Sequence, residues 1–108
     1  MIASLHSLHD IFSKMADEGW DTSLMLKWGF FFFDKDKDKL LSLFTELEGH
    51  AYQLEELHQA SDADWVLHVS KLDVLTPEKL HRRNVAFNEL ADHCSVELYD
   101  GWDVGQIE

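Results

Sequence analysis

Three aspartates alternate with lysines between Asp34 and Asp38, in a stretch that resembles the beginning of a calcium-binding loop. Such a loop needs glycine at its sixth position and a bidentate glutamate at its twelfth. Counted from Asp34, these positions hold Lys39 and Thr45. We therefore expect no metal site here and interpret the stretch as a solvated turn whose aspartates cap the helix that follows.

Histidine and cysteine are the remaining side chains suited to catalysis or metal binding. His6 and His9 lie three residues apart and share one side of a helix, but only serines, leucines and one aspartate surround them. No H-E-x-x-H or C-x-x-C pattern is present to form a zinc site. His68 alternates with its neighbours in a strand and is interpreted as a surface or hydrogen-bonded residue, while Cys94 falls on the apolar stripe of a helix. We therefore expect no enzyme activity, no cofactor and no metal.

The charge composition of the chain indicates which kinds of partner it can bind. The chain has 108 residues, with nine Lys and Arg residues against 21 Asp and Glu residues and a formal net charge of −12. Nucleic acids and anionic membranes are bound through clustered basic residues, and this chain has neither a basic run nor a glycine-rich phosphate loop. We expect a protein partner with a basic surface, and neither nucleic acid nor membrane. An N-terminus without Lys or Arg and a single cysteine predict a cytoplasmic location.

Apolar spacing predicts seven elements in a single domain over residues 1–108, with a leading helix in 1–19 and a core in 20–104. Gly19 and Gly49 are expected to end the first two helices, and Thr76 to cap the third. After the leading helix, the order is the split β-α-β unit twice over. The predicted fold class is therefore α+β: a ferredoxin-like β-α-β-β-α-β sandwich, with a four-stranded antiparallel sheet, two helices on one face and an N-terminal amphipathic helix. The elements are a helix over 2–18, a strand over 23–33, a helix around 40–47, strands over 50–58 and 65–72, a helix over 77–94 and a short strand over 96–99.

Two of these elements are unusually apolar. The leading helix carries a stripe that includes Leu5, Leu8, Phe12 and Met15, which we expect to pack on the domain or on a second chain. A homodimer formed through this helix is therefore one of the possibilities. The first strand is so rich in Leu, Met, Trp and Phe that we expect it to be central and buried on both faces. Its aromatic residues are interpreted as core rather than as a platform for RNA bases, because the surrounding charge is negative.

The segment from Tyr99 to Trp102 stands out near the end of the chain. An Asp-Gly pair between two aromatic residues predicts a bulge or a sharp exit from the last strand. One interpretation is structural, with Gly101 allowing the bend and Trp102 covering the core. The other is a recognition corner, since Trp and Tyr dominate the residues that anchor protein partners.

This closing Tyr-Asp-Gly-Trp resembles the signature that ends members of the regulator of ribonuclease E activity B family. The aromatic first strand up to Asp34 is similar to that family's first strand, and the segment from Trp65 through Lys71, with Thr76-Pro77-Glu78, is similar to its third strand and the following helix start. The resemblance covers about residues 20–103. It implies a ferredoxin-like fold and a non-enzymatic protein that binds ribonuclease E and inhibits or modulates it, and it implies no catalytic residues.

The sequence therefore predicts a small acidic regulator of an RNA-processing enzyme, with ribonuclease E as the partner that the resemblance implies. Two alternatives remain: an immunity or antitoxin-type protein that masks a basic nuclease, and a small enzyme with an unrecognised cleft. The predicted acidic patch combines the aspartates near residue 36 with acidic residues near the C-terminus. Its members are Asp34, Asp36, Asp38, Asp100, Asp103 and Glu108. The predicted partner-binding residues are Asp34, Asp36, Asp38, Tyr99, Asp100, Gly101, Trp102 and Asp103.

Overall fold

The computed structural model describes residues 4–107, which form a four-stranded sheet and three helices. The strand order is β2-β3-β1-β4, and every neighbouring pair of strands is antiparallel. This is the ferredoxin-like topology with a preceding helix, as the sequence predicts. In chain order the elements are α1 (Leu5–Asp17), β1 (Leu26–Asp34), α2 (Lys37–Glu48), β2 (Gln53–Gln59), β3 (Trp65–Asp73), α3 (Pro77–His93) and β4 (Leu98–Gly105).

Helix α1 packs its apolar stripe against its own chain. Leu8, Phe12 and Met15 are buried, and the Phe12 ring stacks on Trp28 of β1 with 5.8 Å between ring centroids. The helix also contacts α3. A helix of this length is marginal in water, so this packing is what stabilises it. Leu5 is partly exposed, and Ile2, the first residue of the predicted stripe, lies outside the described residues.

The faces of the sheet differ because α2 and α3 both lie on one side of it. Alternate residues of β1 face these helices and are fully buried: Trp28, Phe30 and Phe32. Phe31 and Phe33 point the other way and remain half-buried. The prediction that this strand is buried on both faces is therefore wrong, since no helix within residues 4–107 covers the second face. We call these surfaces the helix-covered face and the helix-free face, the latter comprising Lys27, Gly29, Phe31 and Phe33 with the residues that pair with them.

Local capping positions the helices as the sequence predicts. The Asp36 carboxylate accepts a hydrogen bond from the Asp38 backbone N–H at 2.9 Å and caps α2. Thr76 Oγ1 accepts from the Lys79 N–H at 3.2 Å and caps α3, with Pro77 in the first turn. Each cap satisfies a donor that has no partner inside its helix.

The last strand is longer than predicted. The short strand expected over 96–99 is found instead at Leu98–Gly105, and Val96 is a buried residue just before it. The strand does not end at the Asp-Gly pair, because the backbone makes a bulge there and then resumes its pairing with β1.

Candidate functional site

The bulge in β4 explains why Tyr99 and Trp102 face the same way. Residues three apart in a regular strand point to opposite faces, because side chains alternate. Here the pairs Phe32–Tyr99 and Phe30–Trp102 leave two β4 residues opposite Phe31, so one extra residue restores the inward direction. Gly101 has φ of +102°, a backbone conformation that glycine adopts without strain from a side chain.

Both aromatic residues of this segment therefore belong to the helix-covered face. Tyr99 is only 1% exposed, and its hydroxyl donates a hydrogen bond to Oδ1 of the buried Asn84 on α3. Burial raises the pKa of Tyr99 far above its usual range. Trp102 is half-buried, with its ring 5.7 Å from Trp28. Tyr99 has almost no surface left for a partner, while Trp102 has a part of its ring.

The predicted aspartates divide into separate groups. Asp34 is 5% exposed, and its carboxylate accepts from the N–H of Asp36 at 2.7 Å and of Glu97 at 2.8 Å. It thus ties the turn after β1 to the segment before β4, and little of it is available to a partner. Asp36 and Asp38 are exposed at the start of α2.

Asp100 and Asp103 lie elsewhere, exposed on β4. Asp103 pairs with Gly29 of β1, five residues from Asp34 along that strand, which corresponds to about 17 Å at the rise of a strand. The strand register therefore separates Asp103 from Asp34 at the start of the turn before α2, while Asp100 follows Tyr99 and lies nearer to that turn. Glu108, the last member of the predicted patch, lies outside the described residues.

A cluster around His68 occupies the centre of the helix-free face. Its imidazole stacks on the Phe31 ring with 4.2 Å between centroids. Nε2 of His68 is shielded from solvent and makes no hydrogen bond, and the nearest carboxylate oxygen, Oδ1 of Asp103, is 3.8 Å away. Gly29 lies beneath both side chains, since a Cβ built there would come within 2.6 Å of Nε2 of His68 and closer still to Asp103.

A second bulge brings two glutamates to the same face. The pairing of β2 with β3 shifts between Leu54 and Glu56, so Glu55 and Glu56 both lie on the helix-free side. Glu55 accepts from Nζ of Lys27 at 2.7 Å and from Oγ of Ser70 at 2.6 Å. The hydrogen bond from Lys27 has the largest effect on the pKa of Glu55, and together with the bond from Ser70 it lowers this pKa below its usual value. Glu56 is exposed, with Nδ1 of His58 at 3.1 Å.

The helix-free face therefore has an aromatic centre between two acidic margins. Phe31 and Phe33 form the centre, together with His68. Glu56 lies on the β2 side, and Asp100 and Asp103 lie on the β4 side. A cavity of about 210 Å³ opens beside Asp103, lined also by Lys27, Gly29, His68, Ser70, Val104 and Gly105. This surface can bind a ligand through stacking and charge, while its serine hydroxyl, that of Ser70, is buried and donates to Glu55.

Two other sequence features can now be located. Cys94 is half-buried at the end of α3, and burial raises the pKa of its thiol, which disfavours the reactive thiolate. Within residues 4–107, no three His, Cys, Asp or Glu side chains are grouped closely enough to hold a metal ion. None of the helices in that range is long and apolar enough to cross a membrane.

The fold and this surface define a class: a small ferredoxin-like α+β protein with a charged, helix-free sheet face. Residues 6–104 match the family model described as regulator of ribonuclease activity B. The chain therefore belongs to that family, as the closing Tyr-Asp-Gly-Trp predicts. Comparison with curated protein sequences gives no match. The family is one of regulators of ribonuclease activity rather than of catalysts.

Sequence reasoning missed most of the helix-free face. Because β1 is expected to be buried on both faces, the sequence analysis does not identify Phe31 and Phe33 as surface residues, although they alternate with Phe30 and Phe32. The alternation was the available signal, because a sheet with both helices on one face must leave alternate residues uncovered. The bulge that groups Glu55 with its neighbour has no comparable signal in the sequence.

Proposed function

We propose that this protein is a non-catalytic regulator that binds ribonuclease E and lowers its activity by covering a basic surface of the enzyme. The observation that carries the proposal is membership of the ribonuclease-regulator family over residues 6–104. The regulated step would be RNA turnover in the cytoplasm. No chemical reaction by this chain is required, because a protein that occupies a substrate-binding surface inhibits by exclusion alone.

Charge supports a protein partner rather than RNA. The net charge is −12, and Asp34 is the one acidic residue in the buried class among residues 4–107. Phosphates would be repelled by this surface, whereas the basic surface with which a ribonuclease binds RNA would be attracted. Opposite charges raise the rate of encounter and lose that effect as salt screens them.

Helix α1 offers less apolar surface for a homodimer than the sequence implies. Leu8, Phe12 and Met15 already pack within the chain. The large apolar residues of α1 that remain partly exposed are Leu5 and Ile11, each 37% exposed. We therefore propose a monomer as the regulating species, and the oligomeric state can be measured by sedimentation at the concentrations used for inhibition.

The test combines cleavage and binding measurements. Purified ribonuclease E is given a labelled RNA with and without this protein, and the proposal expects slower cleavage, direct association of the two proteins, and no shift of RNA by this protein alone. Association should slow markedly between 0.15 M and 1 M salt, because the screening length falls from about 8 Å to about 3 Å.

The same assay separates the alternatives. Unchanged cleavage at saturating concentrations of this protein contradicts the proposal, and so does direct binding to the RNA. Inhibition of an unrelated basic nuclease but not of ribonuclease E would favour an immunity-type role. Trp102→Ala, if the protein stays folded, should speed dissociation, whereas neutralising Asp100 and Asp103 together should slow association and flatten its salt dependence.

A further inference from the structure

We propose that the helix-free face binds an arginine-containing basic segment of the partner protein, with a guanidinium group stacked on the Phe31–His68 ring pair beside Asp103. This inference rests on the proposed function and specifies its contact surface. The occupant is a cationic peptide segment rather than a small metabolite, and charge complementarity across the whole face is what selects it.

The first step is the charge of this face. Within the strands described, its carboxylates are Glu55, Glu56, Asp100 and Asp103. Lys27 is the one Lys or Arg side chain that projects from these strands on this side, and it is already paired with Glu55 at 2.7 Å. The remaining carboxylates have no Lys or Arg partner in the described structure. A partner surface that neutralises them must carry positive charge.

The second step is the geometry that selects arginine over lysine. Phe31 and His68 form a stacked pair of flat rings, 13° from parallel, and the pair is partly exposed. A planar guanidinium can stack on such a surface while its N–H groups donate to a carboxylate, and an ammonium group cannot do both. The Asp103 side chain is 55% exposed beside this stack and can accept two such bonds.

The third step is an unused hydrogen-bonding atom at the same place. Nε2 of His68 is buried and unpartnered, which is uncommon for a polar atom in a folded protein. The 3.8 Å to Oδ1 of Asp103 is too long for a hydrogen bond. When the ring proton is on Nδ1, Nε2 accepts, so a guanidinium bound to Asp103 would supply the donor that this atom lacks once a side-chain rotation exposes it.

Gly29 is necessary for the geometry of this site. Its missing side chain leaves room in which His68 and Asp103 approach each other over the strand. The cavity of about 210 Å³ beside them is lined by His68 and by Asp103 of the acidic margin on β4. Glycine in a strand interior usually weakens the strand. At this position the missing Cβ instead allows His68 and Asp103 to lie close together.

The experiment measures binding of three twelve-residue peptides to the full chain by calorimetry at 0.15 M salt. The peptides share one sequence of alternating basic and small polar residues, and the basic positions are arginine, lysine or citrulline. The proposal expects the arginine peptide to bind about tenfold more tightly than the lysine peptide, because stacking and paired hydrogen bonds add to charge. The uncharged citrulline peptide should show no measurable binding.

Matched variants locate the site. Asp103→Asn and Asp38→Asn each remove one negative charge from an exposed position, but only the first is on the helix-free face. Asp103→Asn should weaken the arginine peptide about tenfold, and Asp38→Asn less than twofold. Phe31→Leu, which keeps an apolar side chain but removes the ring, should abolish the preference for arginine over lysine.

Backbone amide resonances provide a second measurement that needs no variant. Titration with the arginine peptide should shift Gly29, His68 and Asp103 and leave Asp38 unchanged. Equal affinity for arginine and lysine, or equal losses in Asp103→Asn and Asp38→Asn, would overturn the proposal by showing unspecific attraction. A dimer of this chain that Phe31→Leu dissociates would overturn it too, because a second copy would then be the occupant.

Failure of this inference can be distinguished from failure of the proposed function. If Asp103→Asn still binds and inhibits ribonuclease E like the unaltered protein, the surface is wrong and the regulatory function stands. If the arginine peptide binds at His68 but ribonuclease E is neither bound nor inhibited, the surface stands and the regulatory function is wrong.

Discussion

The two faces of one strand show how the same residue type serves different purposes. Phe30 and Phe32 of β1 are fully buried against the helices, whereas Phe31 and Phe33, their immediate neighbours, remain partly exposed. On the first face, the Phe30 ring meets Phe87 of α3 edge-on at 4.9 Å. On the second face, the Phe31 ring stacks on His68, whose Nε2 lies 3.8 Å from Oδ1 of Asp103.

The difference teaches that aromatic content alone does not separate a core from a binding surface. A fully buried ring contributes its whole apolar area, at about 25 cal/mol per Å², to the free energy of unfolding. A half-buried ring contributes less to stability and keeps area for a partner. Exposed apolar patches rimmed by polar groups are typical of interaction sites. Mutations on the two faces should therefore separate stability from binding.

The largest expected effect is on the helix-covered face. Trp28→Ala should lower the free energy of unfolding by about 3–5 kcal/mol, because Trp28 is fully buried between Phe12 and Trp102 and its removal leaves a cavity. Phe31→Ala is the matched truncation on the helix-free face and should cost about 1 kcal/mol. Urea denaturation followed by circular dichroism measures both. Equal losses would show that the faces contribute equally to the core.

Tyr99→Phe should have the next largest effect. The variant removes the donor to Oδ1 of buried Asn84 and leaves that oxygen unsatisfied, which costs about 1–3 kcal/mol. The pKa of Tyr99 is raised above the usual 10.0 by burial. The folded state therefore favours the neutral phenol, so its contribution is complete below pH 10 and is lost as pH rises above that value.

Urea midpoints at pH 7 and pH 10.8 measure this dependence. The unaltered protein should lose stability across that interval, and Tyr99→Phe should lose less. Burial raises the pKa of Tyr52 too, so part of the alkaline loss should persist in the variant. An identical alkaline loss in both proteins would mean that Tyr99 ionises as readily in the folded chain as in the unfolded one.

The order of elements could be predicted from the sequence because its signals are local. The stripe of α1, the caps at Asp36 and Thr76, and the glycine after α1 each act within a few residues. Gly19 has φ of +93°, the conformation expected just past a helix end. The closing Tyr-Asp-Gly-Trp, together with the first and third strands, also indicates the family.

The candidate site could not be predicted to the same extent, because it depends on pairing between distant segments. The sequence grouped the aspartates near residue 36 with those of β4, but strand register separates Asp103 from them along β1. Asp34 resembled an exposed carboxylate in a charged run, yet its bonds to backbone N–H groups make it part of the fold. His68 was recognised as a strand residue, and only the structure shows what lies beside it.

Gly101→Ala tests whether the β4 bulge supports the helix-covered face. At φ of +102° an alanine is strained, so the variant should lose about 1 kcal/mol or somewhat more. Gly105→Ala in the same strand is the control, since it has no positive φ and open space around its Cβ position. Thermal unfolding compares them. A Gly101→Ala protein as stable as Gly105→Ala would show that β4 accommodates a side chain at the bulge.

The smallest effect on stability is expected from the residue with the largest expected effect on binding. Asp103→Asn should change the free energy of unfolding by less than about 0.5 kcal/mol, because Asp103 is exposed on β4 and makes no hydrogen bond to His68 at 3.8 Å. Removal of one negative charge from a chain with net charge −12 also reduces self-repulsion, which opposes any loss.

Glu55→Gln on the same face is the comparison for this last measurement. Glu55 is held by Lys27 and Ser70, so its loss should cost up to about 1 kcal/mol at pH 7. Because folding lowers the pKa of Glu55, that contribution is present above its unfolded pKa and disappears as pH falls through the folded value. A loss in Asp103→Asn larger than in Glu55→Gln would mean that Asp103 holds the sheet together, and its carboxylate would then not be free for a partner's arginine.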